Sequence, residues 1–167
     1  GMLASAITSV LGRIGTSHPI EAFSSLTPLI EAFDMDAFGR ATAKFSTSEL
    51  KQINARILQT LAFDEVQEQL SQLGLGAVTE PFWQAVRGNI EKLEDVRIWW
   101  QICHEPLMPE IEDTDFLAQA GALLTDEVLT DTSWSEWTKN ISAQTGARGK
   151  ALFMPLRKAL TGKSSGP

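Results

Sequence analysis

The sequence predicts an all-α chain of about eight to ten short helices. Apolar residues recur at helical spacing through much of its length. Strand signals are nearly absent: tyrosine is missing, and Val and Ile do not alternate with polar residues over useful lengths. Neither Asn-Gly nor Asp-Gly occurs to close a hairpin. Helix punctuation completes the pattern, with Ser/Thr starts and glycine stops around the periodic runs.

The elements follow in order. In "STSELKQINARILQTL" Leu50, Ile53, Ile57, Leu58 and Leu61 fall on one helix face, and Ser46 with Glu49 forms a capping-box pattern at its start. "EVQEQLSQLG" repeats the spacing with Val66, Leu70 and Leu73, and Gly74 stops it. "IEKLEDVRIWWQIC" puts Leu93, Val96, Trp100 and Cys103 on one stripe, and Pro106 and Pro109 forbid continuation. "DTSWSEWTKNISAQTG" offers a second capping box, Ser133 to Glu136, and a stop at Gly146. In "GKALFMPLRKALTG" Leu152, Phe153, Leu156, Ala159 and Leu160 read as the buried side, while Lys150, Met154, Arg157 and Thr161 line another face. Pro155 either kinks this helix or marks its start, and Gly162 ends it. The Pro-rich and acidic stretch 105–115 is the best internal boundary, with 33–46 a second joint.

The totals narrow the function. With 167 residues, 43% hydrophobic and 21% charged, the chain can bury a core and is not of disordered composition. No apolar run approaches the roughly 20 residues that cross a bilayer, so no membrane partner is expected. The start has no basic region of a signal peptide, and Gly1 before Met2 reads as a residue left by expression. The single cysteine, Cys103, excludes an internal disulfide framework and suits a reducing cytosol. Net charge is −7, yet it is unevenly spread. Up to Glu136, eight Lys/Arg face all 21 acids; beyond it stand Lys139, Arg148, Lys150, Arg157, Lys158 and Lys163 with no acid. Such a segment suits local phosphate contact, because binding follows local potential; it equally suits a solvated helix face that lacks acids.

Catalytic patterns are missing. His18 and His104 are the only histidines, and Cys103-His104-Glu105, being adjacent on a helix, point in different directions. There is no Ser/His/Asp arrangement, nucleophile elbow or Gly-rich phosphate loop. No metal site and no catalytic residue are expected in this chain. Of Trp83, Trp99, Trp100, Trp134 and Trp137, at least three read as core anchors, Trp134 and Trp137 being i, i+3 partners beside Ile141. Arg157, standing over the short polar end "KSSGP", could bracket a base by stacking or paired hydrogen bonds, or merely cap its neighbours.

"ARGKALFMPLRKALTGKSSGP" closely resembles the C-terminal signature of bacterial glutamyl-tRNA synthetases, most of all the alphaproteobacterial branch. "LGRIGTSHPIEAF", "FGRATAKFSTSELKQINARIL", "FWQAVRGNIEKLEDVRIWW" and "WSEWTKNISAQTGARGKALF" follow in family order, so the likeness spans essentially the whole chain. In the family a Rossmann-type catalytic domain with HIGH-like and KMSKS-like motifs precedes this region, and neither motif occurs here. The resemblance therefore implies a fragment: the helical end of the stem-contact region (1–45), then two helical anticodon-binding subdomains (46–105 and 106–167). It implies a monomeric tRNA anticodon-loop binding module of a cytoplasmic ligase. ATP and Mg²⁺ would act in the absent domain, which attaches glutamate to tRNA, and the tRNA would be that for glutamate or also that for glutamine. Arg157 matches the family arginine that lies against anticodon bases. Ser164, Ser165, Gly166 and Pro167 match the arm that touches the second and third anticodon nucleotides, Ser165 standing where the family commonly has His. A position that reads the third letter aligns with Asn89 or Arg87. Arg148, Lys150, Lys158 and Lys163 are the expected phosphate contacts. The alternative reading is a helical interaction domain that docks an acidic protein.

Overall fold

The computed structural model describes residues 1–125, 128–130 and 132–164. Among them stand nine α-helices: α1 (Ala4–Leu11), α2 (Thr27–Glu31), α3 (Thr47–Thr60), α4 (Phe63–Gln72), α5 (Glu80–Val86), α6 (Val96–His104), α7 (Thr114–Ala122), α8 (Ser133–Thr145) and α9 (Lys150–Thr161). Short 3-10 turns occupy Met35–Ala37, Arg87–Asn89 and Leu93–Asp95. The protein is all-α; the described residues contain no strand beyond one isolated antiparallel bridge, Thr16 to Phe38. No helix among them is long and apolar enough to cross a membrane. The chain forms two compact units, Gly1–Cys103 and His104–Pro167.

In the first unit the amphipathic spacing of α3 does what it predicts. Ile53, Ile57 and Leu58 are fully buried, and the Ser46 hydroxyl accepts the Glu49 N–H at 3.3 Å to cap the helix start. α3 faces two ways. Ile53 and Ile57 pack with Ala6 and Val10 of α1, while Leu58 joins Val66, Leu70, Trp83 and Val96 in the larger core. Burying each such side chain contributes about 1.5–3 kcal/mol. Residues 1–45 and the helices after them thus share one unit. α4 stops at Gly74, whose φ of +75° suits a residue without Cβ.

Two polar groups tie this unit together. Trp83 is wholly buried, and its indole N–H donates to the Leu61 carbonyl at 3.1 Å. Asn54, also wholly buried, accepts the Leu3 N–H at 2.7 Å and donates to the Glu91 carbonyl at 2.6 Å. Nothing in the helical spacing of α3 announced that clasp, because both its partners are backbone groups distant in sequence. Cys103 departs from the expected stripe: it is exposed, since α6 begins only at Val96 and its last turn runs past the core. Leu11, Leu26, Ile30, Phe33 and Phe38 stay open around a hollow of 510 Å³, which α2, a helix of 5 residues, is too short to cover.

The second unit is a three-helix arrangement. Phe116 and Ala120 of α7, Ile141 of α8, and Leu152 and Leu156 of α9 form its core. Asp113 caps α7 by accepting the Phe116 N–H at 2.9 Å. The indole N–H of Trp137 donates to the Ala120 carbonyl at 2.8 Å, pinning α8 to α7. Gly146 (φ +76°) and Gly162 (φ +66°) end α8 and α9 in the left-handed conformation, as the glycine stops predict.

Three expectations are corrected here. Ser133 is not the cap of α8 but its first residue, and its hydroxyl accepts the Thr130 N–H at 2.8 Å. Pro155 does not start α9: the helix begins five residues earlier, at Lys150, and Pro155 stands inside it. Phe153 and Leu160 are not buried but 44% and 49% exposed. With about 100° per residue, α7 and α8 cover only the face centred on Leu152 and Leu156, leaving Phe153 and Leu160 on its flank.

Candidate nucleic-acid interface

α9 sorts its side chains into three faces. Leu152 and Leu156 point into the core. One flank carries Lys150, Phe153, Arg157 and Leu160, all exposed and spaced i, i+3, i+7, i+10, so cation and apolar surface alternate along it. Arg157 holds no hydrogen bond or ion pair through its side chain among the described residues, and its guanidinium faces solvent. A free guanidinium between apolar neighbours can stack on a planar base and still donate in its own plane.

The other flank carries Lys158, and its situation is opposite. Its ammonium sits 2.7 Å from a Glu110 carboxylate oxygen and 2.5 Å from one of Glu112, with the side chain only 12% exposed. The Glu110 hydrogen bond, then that of Glu112, holds the ammonium pKa above its ordinary range. The expected phosphate contact at Lys158 is therefore replaced by an internal ion pair. The 46–48 residues that separate these partners leave no sequence signal for it. The stretch 105–112 that supplies both carboxylates forms a strap bonded to α9 along the backbone as well, the Glu110 N–H donating to the Lys158 carbonyl at 3.2 Å.

The remaining candidates divide. Arg148, in the link between α8 and α9, is exposed, as are Lys163 and Ser164 after α9. Ser165, Gly166 and Pro167 lie outside the described residues. Arg87 and Asn89 belong to the first unit. Arg87 is half-buried and donates to the Leu61 carbonyl at 3.0 Å, the same oxygen that Trp83 uses. Its guanidinium thus has a structural task, whereas Asn89, at the end of the 3-10 turn, is exposed.

Sequence reasoning missed one part of this surface. Trp134, expected among the core anchors with Trp137, is 47% exposed because it stands in the first turn of α8, beyond the residues that cover Ile141. It borders an open groove of about 550 Å³ together with Phe153, Lys139 and Arg148. The position of Phe153 between Lys150 and Arg157 along one flank of α9 was the available signal. Among the described residues no group of three or more His, Cys, Asp or Glu is placed to hold a metal ion.

No protein-family model matches the chain. It is 43% identical over 169 residues to glutamate–tRNA ligase 1 of Orientia tsutsugamushi (strain Ikeda), covering all of this chain and 38% of that protein. To glutamate–tRNA ligase 1 of Maricaulis maris (strain MCS10) it is 42% identical over 167 residues, again across the whole chain and 37% of the relative. The matched part is the relatives' C-terminal portion. Among solved structures, a glutamate tRNA ligase from Elizabethkingia meningosepticum, in complex with its amino acid, superposes over the whole chain and 37% of its own length. The TM-score is 0.72 at 17% identity, which speaks for the fold alone. The chain thus spans well under half the length of the curated relatives it matches. Identity above 40% across its entire length places the chain in the glutamate–tRNA ligase family.

Proposed function

We propose that this chain is the part of a glutamate–tRNA ligase that holds the anticodon loop of its tRNA. The observation that carries the reading is the exposed flank of α9, where the unpaired Arg157 stands with Lys150 in a segment free of acids from Trp137 onward. A phosphate backbone needs such local positive potential, and splayed loop bases need planar groups to lie against. Arg157 and the arm beginning at Ser164 would meet the bases, and Arg148, Lys150 and Lys163 the phosphates. Asn89 is the better placed of the two first-unit candidates, because Arg87 is engaged with the Leu61 carbonyl. The ligase would be a cytoplasmic monomer that joins glutamate to tRNA with ATP and Mg²⁺ in a region outside this chain.

Titration with tRNA for glutamate at two salt concentrations, comparing the wild-type chain with Arg157→Ala, tests this. Loss of a base contact should weaken binding by about 1–3 kcal/mol at both salts. Equal affinities of the two proteins would remove Arg157 from the interface, and displacement of an acidic protein with no tRNA affinity would replace the reading. Parallel titration with tRNA for glutamine decides whether that tRNA is also accepted.

A further inference from the structure

We propose that Trp134, Phe153, Lys139 and Arg148 form a second seat for an unpaired nucleotide, distinct from Arg157 and its arm. The proposal rests on the RNA-binding reading above and extends it to the groove between α8 and α9. Two large aromatic side chains that are 47% and 44% exposed border one groove of about 550 Å³, and two cations border it with them. Neither Lys139 nor Arg148 has a side-chain partner among the described residues. Glu136, the nearest acid on α8, lines a different hollow.

Trp134 is exposed but held. Its ring meets Trp137 edge-on, with centroids 5.6 Å apart and planes at 61°, and Trp137 is itself fixed by its bond to the Ala120 carbonyl. The Thr138 hydroxyl donates to the Trp134 carbonyl at 2.8 Å, which closes that turn of α8. A ring braced in this way is ordered before any ligand arrives, so stacking on it costs little additional side-chain entropy. Aromatic faces beside paired cations match a base and its phosphate, the pattern of sequence-tolerant single-strand binding. An apolar ligand would instead favour the neighbouring hollow of about 240 Å³, lined by Leu124, Leu129, Trp137, Leu160 and the other side of Trp134, where no cation stands.

The test uses the whole chain and tRNA for glutamate, with affinity measured across a salt series. Trp134→Leu and Phe153→Leu keep apolar bulk but remove the stacking face, and each should weaken binding on the order of 5- to 100-fold with the salt slope unchanged. Trp134→Phe should restore most of the loss. Lys139→Ala and Arg148→Ala should each lower the slope of log affinity against log salt by roughly 1. Lys139→Ala is a surface change that leaves the core alone and lies outside the interface proposed above, so it decides the matter even if a leucine variant misfolds. Wild-type affinity and slope in Trp134→Leu, Phe153→Leu and Lys139→Ala, with binding lost in Arg157→Ala, would overturn the second seat while leaving the proposed function standing. No tRNA binding by the wild type would overturn both.

Discussion

Gly162 joins the end of α9 to the strap at 105–112, and replacing it by alanine has a cost that can be worked out. Its φ of +66° places it in the left-handed region, and its N–H donates to the Lys158 carbonyl at 2.9 Å. A Cβ built there would lie 2.7 Å from the carbonyl oxygen of Met108, a distance that no relaxed carbon–oxygen contact adopts. The left-handed conformation alone costs alanine about 1–2 kcal/mol. Relieving the overlap means moving backbone, since Met108 presents its main chain, and the strap is anchored by the Glu110 N–H to Lys158 bond and by two carboxylates on the Lys158 ammonium. Forced overpacking of this kind costs about 1–3 kcal/mol. The total for Gly162→Ala is therefore about 2–5 kcal/mol. Gly146→Ala is the matched control: it ends α8 with nearly the same geometry, φ +76°, but has nothing within 4 Å of the added carbon. It should cost only the conformational share, about 1–2 kcal/mol. Denaturant unfolding of the second unit, followed by amide hydrogen exchange in α8 and α9 peptides, measures both. Equal costs for the two substitutions would refute the claim that the Met108 carbonyl presses on α9.

Two further outcomes follow from side chains already placed. Asn54→Ala strands the Leu3 N–H and the Glu91 carbonyl, and with about 1–3 kcal/mol for each unsatisfied group the first unit should lose about 2–6 kcal/mol, read by urea unfolding through the buried Trp83. The pairing of Lys158 raises its pKa above the ordinary 10.5, so its stabilising share is complete below that value and disappears as pH rises through the folded-state value above it. The stability difference between the wild type and Lys158→Met should accordingly hold steady from about pH 7 to 10 and shrink at higher pH. A difference that does not change across that alkaline range would show that the ion pair is not what distinguishes them.

Much of the fold is written locally. The positions of Ile53, Ile57 and Leu58 on one face, the Ser46 cap, and the stops at Gly74, Gly146 and Gly162 all depend on residues within a few places of one another. The family was legible for a related reason: the run from Gly149 to Gly162 combines a core face, a cation and a stop in one short motif. That Arg157 stands off the core face of α9 was legible too, because a helical face is a matter of local order.

What the sequence determined by itself was which residues share a helix face, since a rotation of about 100° per residue is fixed by the backbone alone. Which faces are covered, and how far along, only the tertiary structure decided. Phe153 and Leu160 lie just outside the arc that α7 and α8 shield, Trp134 one turn beyond it, and Cys103 past the end of its core. Arg157 and Lys158 make the point most sharply. They are adjacent and carry the same charge, yet one faces solvent and the other is neutralised by Glu110 and Glu112. A step of about 100° turns them toward different surroundings, and those surroundings are supplied by a strap nearly fifty residues away, whose approach no local rule records.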